Sequence, residues 1–192
     1  MNTLRLENIN LHAAYTVWQV AAYFYFSTDY GVEYRIHFLY DEAIVSSGAY
    51  QIVIENRNNQ PSPADPKLQQ TLFAIIEEFL ATNDNVMLYL CETGDGKQKF
   101  RSRLFIRWFN GYKYRDKYLF KTAEGEMDGE LNFMALLIKL TNPRLPYVVE
   151  EFNETVSFLF DTPLESSNEG KISLLSRFVH YFQVVRKKMR GK

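Results

Sequence analysis

"DPKLQQTLFAIIEEFLATNDNVMLYLC", residues 65–91, decides the fold class. Asp65-Pro66 is a helix start: an N-cap acid precedes proline at the first helical position, where its missing N–H costs nothing. Leu68, Leu72, Ile75, Ile76, Phe79 and Leu80 then recur at helical spacing, while Glu77 and Glu78 point elsewhere as a solvated face. "NDN" closes the helix. Residues 86–91, "VMLYLC", are apolar without alternation, the mark of a central strand buried on both faces. Helix and doubly buried strand in succession place the chain among layered helix–sheet folds.

Upstream, "YFYFSTDYGVEYRIHFLY" (23–40) reads as a β-hairpin turning at Asp29-Tyr30-Gly31, where glycine can supply positive φ. Val32, Tyr34, Ile36, Phe38 and Tyr40 alternate onto one face and Glu33, Arg35 and His37 onto the other. Residues 50–57 read as a third strand, and "NNQPSPAD" as a loop. Downstream, "DGKQKFRSRLFIRWFNGY" (95–112) reads as a helix with an Asp95/Gln98 capping box, ending near Asn110-Gly111. At 100° per residue, Phe100, Leu104, Phe105, Trp108 and Phe109 form its apolar arc, and Arg101 falls inside that arc. Lys99, Arg103 and Arg107 form a separate row.

Two further strands are expected near 113–122 and 131–140, joined by the acidic loop "AEGEMDGE". Val149, Phe152, Val156, Leu159 and Phe160 mark a helix with Glu150 and Glu151 early in it, as its dipole favours. A last helix is expected over 172–188, with Ile172, Leu175, Phe178, Phe182 and Val185 inward. The expected fold is α+β: a mixed, mostly antiparallel sheet in the order β-β-β-α-β-α-β-β, then two C-terminal helices. Residues 1–192 form one domain on this reading, with an α+β core to 145 and a helical extension with a basic tail from 146.

Hydrophobic residues make up 46% of the 192, enough for a sizeable core. No apolar run reaches the ~20 residues that span a bilayer, so no membrane association is expected. The lone Cys91 excludes an internal disulfide and suits a reducing cytoplasm. Net charge is −1, which hides a division. Residues 1–96 carry 4 basic and 12 acidic side chains, and residues 97–192 carry 18 and 11. Positions 97–121 hold nine Lys or Arg against Asp116 alone, and "RKKMRGK" ends the chain. Such asymmetry points to an anionic partner or to self-complementary assembly.

Several chemistries fail on spacing. "ETGDGKQ" follows a strand and opens a helix, but Cys91 stands where a P-loop needs its first glycine and Gln98 where it needs Ser or Thr. His12, His37 and His180 show no metal spacing, and no metal is expected. No nucleophile-elbow motif is present. Cys91, ending a buried strand, reads as a small hydrophobe. The candidate binding residues are therefore Lys97, Lys99, Arg101, Arg103, Arg107, Tyr112, Lys113 and Arg115, with Lys117, Tyr114 and Tyr118 interleaved nearby. Aromatic and basic groups in alternation can stack on bases and pair with phosphates. The competing reading is a surface helix whose charges meet the acidic first half. Arg101 is expected to be buried and acid-paired, or else to project into a cleft and hold a carboxylate or phosphate.

The order of elements resembles that of the GNAT acetyltransferases over roughly residues 15–140. In that family a glycine-rich turn, Arg/Gln-x-x-Gly-x-Gly/Ala, precedes the central helix and binds the coenzyme A pyrophosphate. The matching turn here, "NRNNQPSPADP", has no glycine, and Pro61, Pro63 and Pro66 remove three N–H donors. No family residue carries over onto it, and no cofactor is expected. Through "YFYFSTDYGVEYRIHF", "LYLCETGDGKQKFRSRLFIRWF" and "TNP" the chain also resembles an uncharacterised bacterial family, a domain of unknown function. That resemblance covers most of the chain and supplies no activity. The resulting expectation is a cytoplasmic, non-enzymatic binding or regulatory protein that self-associates as a homodimer. The alternatives are nucleic-acid or anionic-ligand binding through residues 97–117, and a diverged acyltransferase-like enzyme.

Overall fold

A computed structural model of the chain describes residues 3–81, 85–91, 96–127 and 130–160. In chain order these form α1 (Leu6–His12), β1 (Trp18–Val20), β2 (Tyr23–Ser27), β3 (Glu33–Asp41), β4 (Ala49–Asn56), α2 (Pro66–Phe79) and β5 (Val86–Leu90). Then follow α3 (Gln98–Asn110), a 3-10 turn (Arg115–Lys117), β6 (Tyr118–Met127), β7 (Glu130–Lys139) and α4 (Leu145–Phe160). The seven strands make one sheet, ordered β1-β2-β3-β4-β5-β7-β6. Among the described residues, only β4 and β5 pair in parallel. The α+β class and the mixed, mostly antiparallel sheet read from the sequence are borne out.

The run of apolar residues in β5 has a direct cause. Met87 faces the core cluster built with α2 and α3, and Val86 and Leu88 face the cluster built with α4. A strand with helices on both faces has no polar side to alternate with. Helix α2 buries Leu68, Leu72, Phe73, Ile75, Ile76 and Phe79 on the first face, Phe79 stacking on Phe38 at 4.0 Å. Full burial of such side chains contributes about 1.5–3 kcal/mol each, so this helix anchors the domain.

Its start also ties down the N-terminal segment. Asp65 caps α2 by accepting the Lys67 N–H (2.9 Å), and its other oxygen accepts the Tyr15 hydroxyl (2.9 Å). Thr71 Oγ1 accepts the N–H groups of Ala14 and Tyr15. These bonds place α1 and β1, two elements that the sequence reading did not include. The hairpin β2–β3 turns where expected, with Gly31 at φ +74°.

On the second face, α4 is pinned to the β3–β4 connection. Glu151 accepts from the hydroxyls of Ser46 and Ser47, Thr155 donates to the Ile44 carbonyl (3.0 Å), and Arg144 Nη2 reaches the Ser47 and Gly48 carbonyls (2.8 Å each). Phe152 and Val148 fill the space beneath.

Three expectations need correction. The segment 113–117 is turn and 3-10 helix, and the strand begins at Tyr118. Residues 123–127 belong to β6, because Ala123 to Met127 pair in register with Met134 to Glu130, leaving a much shorter connection than the acidic loop expected there. Helix α3 starts at Gln98 with Lys97 at its N-cap and no side-chain cap; Asp95 lies outside the described residues. The expected helix 172–188 and the basic tail also lie outside them. No helix among the described residues is long and apolar enough to cross a membrane.

Candidate anion-binding surface

Helix α3 is held to the sheet by three positions spaced three and four apart. Ser102, Phe105 and Phe109 are its buried residues. Phe105 stacks on Tyr89 at 4.3 Å, and Phe109 lies 4.4 Å from Phe120. Ser102 is tolerated there because its hydroxyl donates back to the Lys99 carbonyl (3.0 Å), leaving no orphan polar group. This phase turns the helix relative to the apolar arc read from sequence. Phe100 is 66% exposed, and Leu104 and Trp108 are only half-buried.

The same rotation moves Arg101 from the middle of the core face to its edge, where it is half-buried. Its charge is felt by Tyr89 and Cys91. Burial pushes the Cys91 thiol up to about 11, a counter-effect of Arg101 notwithstanding. A thiol so raised is a poor nucleophile at neutral pH.

Opposite the buried face, Lys97, Lys99, Arg103 and Arg107 are exposed. The chain then leaves the helix at Gly111 and brings Lys113, Arg115 and Lys117 out on the turn. Lys113 and Lys117 each place an ammonium group 4.4 Å from the centroid of the Tyr114 ring. Arg115 Nη1 donates to the Asn110 carbonyl (2.7 Å), fixing the turn to the helix end. Tyr112 behaves differently from its neighbours: its ring stacks inward on Phe73 at 4.4 Å. Of the eight candidate residues, six are thus on the surface, Arg101 is at its margin and Tyr112 points into the core. Phe100 joins this surface unforeseen. Its helical angle places it next to Arg103 and Arg107, a signal that its hydrophobicity masked.

His12 and His37 stay apart, and His180 lies outside the described residues. His12 ends α1, and His37 sits half-buried against Tyr23 (5.0 Å), its basicity lowered chiefly by burial. Among the described residues no group of three or more His, Cys, Asp or Glu could hold a metal ion.

These features define an α+β domain with a seven-stranded mixed sheet, helices on both faces and a cationic surface along one of them. Residues 64–154, from the cap of α2 into α4, match the model of a family of unknown function, DUF6169. The match bears out the resemblance to an uncharacterised family over that span, which contains the whole of α3 and its turn. No curated protein and no solved structure matches the chain.

Proposed function

We propose that the protein is a non-enzymatic binding protein that holds an anionic macromolecule on α3 and the following turn, with single-stranded nucleic acid as the best fit. One observation carries this reading. Among the described residues, no ion pair joins Lys99, Arg103 or Arg107 to an acid, whereas Arg35 pairs with Glu55, Lys67 with Asp29 and Arg115 with Asp116. A row of cations serving only to dock the acidic half of the same subunit would be paired with it. Left in water, the row is free to replace the counterions of a phosphate backbone, the main source of affinity for nucleic acids. Phe100, 66% exposed, adds a ring on which a base can stack, at about 1–3 kcal/mol per base.

The same division of charge also suits self-association, and a cytoplasmic setting suits the buried Cys91. Strand order and the lone parallel β4–β5 pair support an acetyltransferase-like topology, but the start of α2 speaks against coenzyme A. There Asp65 occupies the Lys67 N–H with its own carboxylate, where a pyrophosphate would have to bind. Retention on a heparin column tests the proposal: replacing Lys99, Arg103 and Arg107 by alanine should move elution to markedly lower salt. Unchanged elution would remove α3 from the binding surface.

A further inference from the structure

We infer that residues 172–188 dock as a helix of the same chain on the side of the sheet away from α2, across β2, β3 and β4. Which side chains meet there follows from the strand pairing. In β4, Ile52 belongs to the core cluster under α2 and Ala49 to the cluster under α4. Gln51, Val53 and Glu55 therefore share the α4 side by alternation. Their β3 partners Leu39, His37 and Arg35 share it, as does Tyr25 of β2, the partner of Arg35.

Helix α4 covers the other part of that side. Its Val148, Phe152 and Leu159 pack with residues of β5 and β7, and its last residue, Phe160, lays its ring against Gly125 of β6. The part formed by β3 and β4 is closed as well. Val53 is 4% exposed and Gln51 2%, and His37 Nδ1 is sealed from solvent. Val53 nevertheless joins none of the core clusters. An antiparallel sheet face left to water stays solvated, so these residues require a cover of their own. Closure fades toward the sheet edge, where Trp18 of β1 is 45% exposed.

Few stretches of chain can supply that cover. Those beyond the described residues are 1–2, 82–84, 92–95, 128–129 and 161–192. The first four are too short to roof two strands. From Phe160, residues 161–171 reach at most about 38 Å when extended. Strand β3 stands four positions from β6 in the sheet, about 19 Å at the usual strand spacing. Within 172–188, Ile172, Leu175, Phe178, Phe182 and Val185 fall inside an arc of about 140° at 100° per residue. Arg177, His180 and Lys187 fall opposite. Such a stripe supplies the apolar cover over Val53 and leaves the cations in water.

The experiment is NMR on the full-length protein with labelled valine methyls and phenylalanine rings. Val53 methyls should show nuclear Overhauser contacts to Phe178 or Phe182. No such contact should link the two labels when different chains carry them. In the double variant Phe178→Asp/Phe182→Asp, the Val53 and His37 resonances should shift, while those of Phe105 and Phe109 on α3 stay in place. Absence of the Val53 contacts in the parent protein overturns the inference. So do contacts found only between chains, which would make a second copy the cover, or a folded double variant with unchanged Val53 shifts.

Discussion

Replacing Phe105 by alanine tests how α3 sits on the sheet, and with it which residues form the outer surface. Phe105 is 4% exposed, stacks on Tyr89 at 4.3 Å and lies 5.9 Å from Phe120. Loss of a buried phenyl ring and the cavity it leaves cost about 3–5 kcal/mol. In a domain this size 1 kcal/mol moves Tm by about 2–4 °C, so the fall should be roughly 6–20 °C. Phe100→Ala is the control, because Phe100 is 66% exposed and surface changes stay within about 0.5 kcal/mol. Urea melts of both variants read the difference at unchanged slope. The apolar arc inferred from sequence treats the two rings as equals, so the pair discriminates sharply. Equal destabilisation by the two variants would refute the helix phase described here and return Phe100 to the core.

Three other outcomes follow from the structure. Cys91 should react slowly with iodoacetamide in the native protein and rapidly in urea. Because its folded pKa is about 11, against about 8.5 when unfolded, stability should decline as pH rises through that window; a thiol labelled at the rate of a free one refutes this. His37 has its pKa lowered by burial and by Arg35, Glu55 opposing. The neutral ring is the folded form, so the stability it confers holds above about pH 6.5 and is lost as pH falls through the lower folded value. A His37 titration midpoint above 6.5 by NMR would contradict it. Acetyl-CoA should give no saturable heat in calorimetry at millimolar ligand, since Asp65 fills the helix start; low-micromolar affinity would reopen the enzyme reading.

Much of the central architecture was legible because its signals are local. Asp65-Pro66 starts α2 by capping chemistry alone, Gly31 turns the hairpin by its positive φ, and β5 declares itself by apolar residues on both faces. Where the reading failed, the deciding contact was distant in sequence. Helix α3 carries apolar residues around more than half its circumference, so its phase is chosen by Tyr89 and Phe120, which the helix sequence does not contain. Ser102 in the buried face is a further disguise. The acidic residues Glu124 and Glu126 look like a loop but alternate with Ala123 and Gly125 along a paired edge strand. Glu77 and Glu78 read as one solvated pair, yet Glu78 holds α1 and Glu77 backs onto Tyr112. Nothing near either glutamate in sequence announces those partners. The basic surface was visible as composition, and only the fold could show which cations remain outside.

Fluorescence anisotropy with a labelled single-stranded oligonucleotide, repeated across a salt series, tests the central proposal most directly. Single strands give a slope of about −0.7 in log affinity against log salt for each phosphate neutralised. If Lys99, Arg103 and Arg107 each take one phosphate, the Lys99→Ala/Arg103→Ala/Arg107→Ala variant should have a slope shallower than the parent by about 2. Its affinity should fall at every salt concentration while its melting temperature stays close to the parent's. A parent that does not bind the oligonucleotide at low salt, or a triple variant with the parent's slope and affinity, would contradict the account.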